Sequence, residues 1–450
     1  MDNTIQHLMK TVEDATDELV ELLQALVRLE TVNTGAPESG REIEACRLLE
    51  RRFRQEGIRS TILESAPSRG NILAGVGDGD SPRLMLMSHL DVVPADERRW
   101  QRPPFCGDIV GDKVYGRGSD DAKSLVATGA MALILLKRAG VSLQGELRFL
   151  GAADEEAGGR FGIAWLADEH PDAVRADWAL NEGGGMPVDT TEGLAYLLSL
   201  GEKGRMEAQF HFSGESAHGA RPWLADNALY KAGRLLERLH AYEPEIDLSF
   251  PTFQHLGLFG IEEGPSPDNL DQLLAPLADQ DAALSSTLKA LSRMTVVPTM
   301  AEAGLKSNSI PAAAELTCDI RTLPHQDQGY VRRELERLTA GIGGTRFDLD
   351  VTAVANASPL DSPFVDQLRR ATALALGDEE VPLIPALTVG FTDSRCVRPL
   401  GTEAYGFAPI APSADRVRSG VHGVDEAMEI ENLVLRTKLY VALACLVLGT

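Results

Sequence analysis

A histidine and an aspartate follow a short apolar run at residues 84–88. The run is typical of a buried strand, and its end carries His89 and Asp91, two positions apart. Residues spaced by two on a strand point to the same side, and an aspartate beside a histidine fixes the tautomer that a metal-bound imidazole needs. We therefore predict that His89 binds a metal ion and that Asp91 is its partner. A histidine that is only hydrogen-bonded at a strand end is the alternative that this stretch leaves open.

Acidic residues recur at the ends of further predicted strands. They are Asp120 and Asp121, Glu155 and Glu156, and Glu182. The carboxyl ends of parallel strands meet at one edge of a sheet, so we expect these side chains to converge. Converging anions repel one another unless a cation lies among them, and histidine with carboxylate, without sulfur, suits zinc, or manganese and cobalt. A single acid of this kind is more often an ordinary solvated loop residue.

The adjacent pair Glu155 and Glu156 is typical of hydrolysis with two metal ions. One carboxylate can bridge ions that lie ~3.5–4 Å apart, and such a pair of ions clamps an attacking water. One glutamate then binds a metal while its neighbour takes a proton from the water. We assign Glu155 as the general base and Glu156 as a ligand. The second ion needs a second histidine, and His422 is a candidate, although its local pattern is a weak indication.

The elements predicted around these residues indicate an α/β domain. Strands are predicted at 71–76, 84–88, 146–150 and 177–180, and long helices at 124–138 and 430–448. Their alternation is typical of a mostly parallel mixed sheet with helices on both faces.

The pattern changes near residue 204. Half-exposed strands are predicted at 205–212, 315–320 and 347–354, with two main helices at 227–240 and 328–338 and a polar, proline-rich insertion at 242–298. This mixture indicates a smaller α+β unit with an antiparallel sheet. The alternation of helix and strand resumes near Ser358.

Composition argues against several classes of partner. The formal net charge of −24 disfavours nucleic acid and anionic membranes, which need a basic patch. The five cysteines are scattered, form no C-x-x-C pair and fit a reducing compartment. No apolar run reaches the ~18 residues of a membrane span, and the first residues form an amphipathic helix and not a signal peptide. We therefore expect a cytoplasmic protein.

Seven short motifs between His89 and Glu426 resemble those of one known family. In order, they are SHLDVVP, GRGSDDAK, DEE, NEGGG, GESAHGARP, DIRTLP and HGVDE. Together they resemble the two-metal amidohydrolase and exopeptidase family of aminoacylase, carboxypeptidase G, carboxypeptidase S, carnosinase and succinyl-diaminopimelate desuccinylase. Jointly the motifs are highly specific, although singly none of them is.

The resemblance implies a role for each matching residue of the metal site. The implied ligands are His89 and Glu182 for one ion, Glu156 and His422 for the other, and Asp121 as the bridge between them. Asp120 is the competing bridging acid. The resemblance also implies a cis peptide bond between Asp121 and Ala122.

The resemblance implies that four more residues act on the substrate. His218 matches a histidine that relatives use to polarise the scissile carbonyl, often from the neighbouring subunit. Asn308 and Arg321 match positions used for the substrate carboxylate. Gly390 begins a Gly-Phe-Thr-Asp stretch where relatives commonly have Gly-Gly-Thr-Asp, so we expect Phe391 to narrow or reshape the pocket. On their residue types alone, His218 is more often a surface histidine, and Arg321 also fits a structural ion pair.

The resemblance also implies the domain organisation and the reaction. A zinc-peptidase-like catalytic domain would cover residues 1–203 and 354–450, with an inserted lid or dimerisation domain at 204–353. The implied reaction is metal-dependent hydrolysis of an amide or peptide bond beside a free carboxylate, in a dipeptide, a C-terminal residue or an N-acyl amino acid. Hydrolysis of N-carbamoyl or related C–N bonds and a non-catalytic metal-binding relative are the alternatives.

The resemblance further implies cofactors and partners. We expect two divalent metal ions, zinc first, with cobalt or manganese as alternatives. The expected partners are a small amide or short peptide substrate and a second copy of the chain, in a homodimer formed through the inserted domain.

Overall fold

The structure, a computed structural model, describes residues 2–77, 81–378, 380–414 and 420–449. The chain divides into two compact units. The first covers residues 1–201, 358–386 and 392–450, and the second covers 202–357 and 387–391. The predicted limits of the inserted domain, 204 and 353, fall just inside the second unit, and the prediction leaves 387–391 in the other domain.

The helices of the described residues are numbered in chain order. They are α1 Asp2–Asp14, α2 Thr16–Val27, α3 Ile43–Gln55, α4 Lys123–Arg138, α5 Ile163–Glu169, α6 Pro171–Val174, α7 Ala228–His240, α8 Leu270–Gln280, α9 Ala282–Leu291, α10 Gln328–Thr339, α11 Pro363–Leu376, α12 Ser394–Val397 and α13 Ile430–Leu448.

The strands are numbered in the same way. They are β1 Arg59–Ala66, β2 Arg69–Val76, β3 Arg83–His89, β4 Asp108–Val110, β5 Lys113–Tyr115, β6 Glu146–Ala152, β7 Trp178–Asn181, β8 Pro187–Thr190, β9 Gly193–Glu202, β10 Gly204–Ser213, β11 Thr295–Ala303, β12 Ala313–Thr322, β13 Thr345–Ala353, β14 Asn356–Ala357, β15 Leu383–Thr388, β16 Glu403–Gly406 and β17 Ala427–Glu429.

A mixed sheet runs through the first unit in the order β1-β2-β6-β3-β7-β16-β9. Its middle strands β6, β3, β7 and β16 pair in parallel, whereas β1, β2 and β9 pair antiparallel at the sides. The predicted mixed α/β fold is therefore confirmed, with parallel pairing confined to these middle strands. As a result, the carboxyl ends of β6, β3 and β7 lie side by side.

Helices cover both faces of the parallel strands. Almost every residue of α4 is buried, as expected for a helix that is apolar all round, and α4 packs on β3. On the other face, Ile163 and Leu166 of α5 join one cluster with Met85 and Met87 of β3. Covered on both faces, β3 is an almost continuous apolar run.

A second, three-stranded sheet in the order β17-β5-β4 also belongs to the first unit. Its pairing of Ala427 with Tyr115 brings residues 420–426 to the loop at 116–122. Asp120 and Asp121 lie in this loop. The expectation that they follow a strand of the main sheet is therefore wrong.

The second unit is built on an antiparallel sheet in the order β11-β12-β10-β13. Alternate residues of β10 and β12 are buried, and Phe210 and Leu316 pack with Leu235 of α7 and Leu335 of α10. The alternation read from the sequence thus corresponds to one face covered by helices.

Residues 242–298 are more regular than the predicted insertion. They hold a 3-10 helix at Pro251–Phe259, then α8 and α9, and they begin the edge strand β11. Leu270, Leu274 and Leu277 recur at helical spacing and form a core with Leu288 and Leu291. Pro276 lies inside α8, and further prolines and polar residues surround these short helices, so the helical spacing is hidden in the sequence.

The expected reducing compartment and the expected cytoplasmic location stay predictions. The five cysteines are free, and Cys46, Cys318 and Cys445 are buried. Among the described residues, no helix is both long enough and apolar enough to cross a lipid bilayer.

Candidate metal centre

His89 is the last residue of β3, and its imidazole is buried among acidic side chains. Its Nδ1 lies 3.0 Å from the backbone oxygen of Asp91. Because a carbonyl oxygen can only accept, the neutral ring carries its proton on Nδ1 and keeps a lone pair on Nε2. Nε2 lies 3.0 Å from Asp121 Oδ1 and 3.6 Å from Glu182 Oε2. This is the tautomer that a metal-binding histidine requires.

Asp91 lies two residues beyond the end of β3, so the two-residue period of a strand does not extend to it. Its carboxylate is fully buried. Asp91 Oδ1 accepts the backbone N–H of Glu155 at 3.1 Å, and Oδ2 accepts that of Glu156 at 3.2 Å. Asp91 therefore holds both the histidine and the turn after β6.

The carboxylate of Asp121 lies between the two candidate histidines. Its Oδ1 faces His89, and its Oδ2 lies 3.1 Å from Nε2 of His422. A cis peptide bond joins Asp121 to Ala122, which confirms that expectation. The carboxylate of Asp120 is directed elsewhere, at 3.6 Å from Nη1 of Arg436. Of the two adjacent acids, Asp121 is thus the one in bridging position.

His422 lies in the loop before β17, with a left-handed φ of 56°. Its Nε2 lies 3.1 Å from both Asp121 Oδ2 and Glu156 Oε2. Glu426 links this loop to the one that carries Asp120 and Asp121, because its carboxylate accepts their backbone N–H groups at 2.9 and 3.1 Å. The small sheet therefore brings His422 into the pocket from the far end of the chain.

The five predicted ligands come together within the first unit. They are His89, Asp121, Glu156, Glu182 and His422. Ligand atoms of His89, Asp121 and Glu156 lie within 4.8 Å of one another, as do those of His89, Glu155 and Glu182. The second group includes Glu155, which the sequence assigns as the base.

The donor set fits divalent cations. It consists of imidazole nitrogen and carboxylate oxygen without sulfur, which suits zinc, cobalt or manganese. Within the described parts of the chain, Glu156 Oε1 is buried and has no hydrogen-bond donor. A buried carboxylate oxygen without a donor is costly, and a bound cation would remove that cost.

Burial and negative charge raise the pKa values of several groups in the pocket. Burial and the charge of Glu182 raise the pKa of Glu155 well above its usual range, and burial raises the pKa of Glu182. Burial disfavours a charged His89, yet Glu182 and the neighbouring aspartates raise its pKa overall. Hydrogen bonds to Asp121 and Glu156 raise the pKa of His422 to about 10. In contrast, hydrogen bonds to the histidines lower the pKa values of Asp91 and Asp121, against the effect of their burial. The raised pKa values of Glu155, Glu182 and both histidines show that the pocket favours added positive charge.

Asp393 is a buried acid near this pocket for which the sequence indicates no role. It is 2% exposed, and neither carboxylate oxygen has a hydrogen-bond donor among the described residues. Burial raises its pKa to about 8, and the charges of His89 and Glu182 act on it. Its place in the Gly-Phe-Thr-Asp stretch is the signal that could have identified it.

Four more buried polar residues lie behind the Glu155–Glu156 turn. They are Asn33, Glu42, Arg69 and Asp154. Only Asp154, inside the DEE motif, carries a sequence signal, because the others lie in segments without a recognisable pattern.

His218 and Asn308 lie together in the second unit. Both residues are exposed, and a β-bridge joins His218 to Ser309. The backbone N–H of Gly219 also donates to the backbone oxygen of Asn308 at 2.9 Å. Nδ1 of His218 accepts the N–H of Ala220 at 3.1 Å, so the neutral ring carries its proton on Nε2. Such a ring can donate a hydrogen bond from Nε2 to a substrate.

Arg321 lies near the end of β12 in the second unit. Its Nε donates to Asp319 Oδ1 at 2.7 Å, so it forms the structural ion pair that its position also fits. Its Nη1 lies 3.4 Å from the backbone oxygen of Val389, next to the half-buried Gly390. The roles of Arg321 and Gly390 toward a substrate stay predictions.

Comparison with known proteins agrees with this pocket. The family model described as peptidase family M20/M25/M40 matches residues 85–445. A probable succinyl-diaminopimelate desuccinylase of Staphylococcus aureus is 28% identical over 419 residues, which cover 92% of this chain and 93% of that protein.

Two solved structures share the fold. An M20 family metallo-carboxypeptidase of Sulfolobus solfataricus has a TM-score of 0.71 at 18% identity, covering 95% of this chain and 99% of that one. A Bacillus subtilis protein described as a dinuclear metal binding peptidase from the M20 family has a TM-score of 0.63 at 15% identity, covering 97% of this chain and 99% of that one.

Proposed function

Because the chain belongs to peptidase family M20/M25/M40, we propose that it hydrolyses an amide or peptide bond beside a free carboxylate, with the help of two divalent metal ions. The observation that carries this proposal is the convergence of two imidazoles and three carboxylates on one anionic pocket, with Glu155 beside them as a fourth carboxylate. The resemblance to a probable desuccinylase, whose name describes removal of an acyl group, supports an N-acyl amide as one substrate class.

The proposed ligands keep the assignment made from the sequence. His89 and Glu182 hold one ion, Glu156 and His422 hold the other, and Asp121 lies between the two histidines as the bridge. Zinc is the first choice, followed by cobalt or manganese. When bound, the ions acidify water and polarise the scissile carbonyl.

Glu155 is the proposed general base. Burial and a neighbouring carboxylate raise its pKa, so it holds a proton more firmly than an exposed glutamate does. It accepts the proton of the attacking water while the new carbon–oxygen bond forms. It then passes that proton to the leaving nitrogen as the carbon–nitrogen bond breaks. Asp91 keeps Glu155 in place through the backbone N–H bond.

Substitution of the base tests the mechanism. Glu155→Ala removes the proton acceptor but none of the five ligands, so we expect turnover to fall about 10²- to 10⁴-fold while metal content is kept. The measurement combines elemental analysis with assays on dipeptides, N-acyl amino acids and N-carbamoyl amino acids, with added zinc, cobalt or manganese. Near-wild-type turnover in this variant would rule out Glu155 as the base.

The same substrate panel tests the reaction class. Cleavage confined to N-carbamoyl compounds would replace the proposed reaction with the first alternative. Metal binding without cleavage of any compound would favour a non-catalytic relative.

His218 is proposed to donate from Nε2 to the scissile carbonyl in the neighbouring subunit. Asn308 and Arg321 are proposed to bind the substrate carboxylate, and Gly390 to contribute to substrate binding. If His218 acts in trans, a mixture of His218→Ala and Glu155→Ala proteins regains activity after subunit exchange, because each mixed dimer contains one intact pair. Proven exchange without recovery of activity would argue against this role.

The proposed homodimer forms through the second unit. Its edge strand β11 is exposed along most of its length and carries Val297 and Met300, and the neighbouring helix α7 exposes Leu229 and Tyr230. Exposed strand edges with apolar side chains are ready to pair with another chain. We expect Val297→Lys with Met300→Lys to yield monomers in light scattering, whereas Leu305→Lys, outside the strand, leaves the dimer intact.

A further inference from the structure

A chain of buried hydrogen bonds begins behind Asp91. Nδ2 of Asn33 donates to Asp91 Oδ2 at 2.8 Å and to Asp154 Oδ1 at 2.9 Å. Its two N–H groups thus go to two different carboxylates, while its own oxygen accepts the backbone N–H of Gly35 at 2.9 Å. A flip of the amide would put an oxygen against both carboxylates, so the orientation of Asn33 is locked.

Asp154 is the next residue in this series of hydrogen bonds. In the sequence, it directly precedes Glu155. It adopts a left-handed φ of 68°, which is unfavourable for a residue with a Cβ atom. Its side chain accepts from Arg69 Nη2 at 2.7 Å and from the backbone N–H of Phe161 at 3.0 Å, in addition to Asn33. These three donors hold the left-handed turn that directs the next two backbone N–H groups at Asp91.

Arg69 is the last residue in this series of hydrogen bonds, and it is fully buried. Its Nε and Nη2 donate to the two oxygens of Glu42 at 2.9 and 2.8 Å, and the same Nη2 reaches Asp154. Its guanidinium also stacks over the ring of Phe161 at 4.8 Å. One cation therefore lies between two buried carboxylates.

Stability alone does not account for this arrangement. Charges buried in this way lose their hydration, and well-packed apolar side chains can often replace them without loss of stability. What apolar side chains cannot do is fix the direction of a carboxylate. Asp91 needs a fixed direction, because it orients the histidine, the base and a ligand together.

We propose that Arg69 is a positioning residue of the metal centre, which acts through Asp154 and Asn33 to hold Asp91 and the Glu155–Glu156 turn. The inference rests on the proposed function, since it requires that this turn carries a ligand and the base. It adds a residue that touches neither metal nor substrate.

The planar fork of arginine is the feature that this role requires. Arg69 donates to two carboxylates from adjacent nitrogens, whereas lysine offers a single point charge at the end of a flexible chain. Arg69→Lys therefore keeps the charge and removes the geometry. Asn33→Ala removes the link between Asp91 and Asp154 without changing any charge.

Arg138→Lys is a matched control. Arg138 also lies between two carboxylates, with Nη1 2.7 Å from Glu18 and Nη2 2.7 Å from Glu56, but it is partly exposed and does not contact the metal pocket. Arg138→Lys therefore tests the loss of the forked guanidinium donors at a position away from the metal pocket.

The test is zinc affinity, measured by competition with a chromophoric chelator, together with hydrogen exchange of the peptide that covers 153–157. We expect Arg69→Lys and Asn33→Ala to bind zinc about 10- to 100-fold more weakly than the wild type, with faster exchange at Glu155 and Glu156. We expect Arg138→Lys to match the wild type in both measurements.

The outcomes separate the two proposals. Wild-type zinc affinity in folded Asn33→Ala would overturn the positioning role, and if Arg69→Lys does not fold, Asn33→Ala decides alone. A lower melting temperature with unchanged zinc affinity and exchange would show a purely structural role and would also overturn it. A wild-type protein that binds none of zinc, cobalt and manganese would refute the proposed function instead.

Discussion

Two loops carry candidate ligands into the pocket, and a buried carboxylate holds each from behind. Asp91 accepts the backbone N–H groups of the Glu155–Glu156 turn. Glu426 accepts those of Gly118, Asp120 and Asp121 in the loop at 116–122. Both carboxylates act in the same way: each accepts several backbone N–H groups and so fixes the path of a loop.

Their supports differ. Asp91 is held through Asn33 and Asp154 by Arg69, at the end of a chain of side chains. Glu426 is held directly by Arg117, whose Nη1 donates to Glu426 Oε2 at 2.6 Å and whose Nη2 donates to the Gly423 oxygen at 2.6 Å. The first support directs a base and a ligand that are neighbours in sequence. The second joins segments about 300 residues apart, so it acts mainly on the ligand brought from the far segment.

The largest expected effects come from substitution of the two carboxylates. Asp91→Asn puts an amide where both oxygens accept, so we expect kcat to fall about 100-fold and both zinc ions to bind more weakly. Glu426→Gln should weaken the ion held by His422 about tenfold and the other ion less, because Glu426 also holds the loop of the bridging Asp121. Zinc titration calorimetry resolved into two sites, with kinetics on the best substrate of the panel, measures both. An equal loss at both ions in the two variants would remove the distinction between the supports.

An intermediate effect is expected at Asp154, which only the Asp91 support contains. Asp154→Asn keeps an oxygen acceptor and tolerates the left-handed φ, so we expect a loss of about 1 kcal/mol in the free energy of unfolding. Asp154→Ala loses all three bonds and keeps the unfavourable φ, so we expect about 3 kcal/mol. Urea unfolding followed by circular dichroism compares them. If alanine costs no more than asparagine, the side chain of Asp154 does not hold the turn.

The smallest effect is expected at Arg138, the exposed counterpart of Arg69. Arg138→Met should cost no more than about 1 kcal/mol at pH 7, because solvent screens the pair. Hydrogen bonds from Arg138 lower the pKa values of Glu18 and Glu56 below the usual 4.5 in the folded protein. Their contribution is therefore present above pH 4.5 and is lost as the pH falls through the folded pKa values. The difference in unfolding free energy between variant and wild type should shrink in acid, and a difference that grows instead would contradict this pairing.

Local patterns were sufficient for much of the fold. The final helix is predicted at 430–448 and found at Ile430–Leu448, and the helix predicted at 124–138 begins one residue earlier, at Lys123. These segments have strong periodicity or continuous burial. The antiparallel pair β8 and β9 and the helices within 242–298 were not recognised, because short amphipathic segments carry little periodic signal.

The candidate site divides in the same way. His89, Glu155 and Glu156 follow strands that a parallel sheet must place side by side, so their convergence was predictable. Asp121 could not be separated from Asp120, because neighbouring residues in an irregular loop have no fixed period. The buried support of Asn33, Glu42 and Arg69 left no sequence signal at all.

By itself, the sequence determined which residues carry the chemistry and which strands deliver most of them, because residue type and strand period are local properties. The tertiary structure alone decided which aspartate lies between the histidines and which buried side chains keep the pocket in shape. Those choices depend on pairings such as Ala427 with Tyr115, across about 300 residues, and on hydrogen bonds whose direction is set only when the chain has packed.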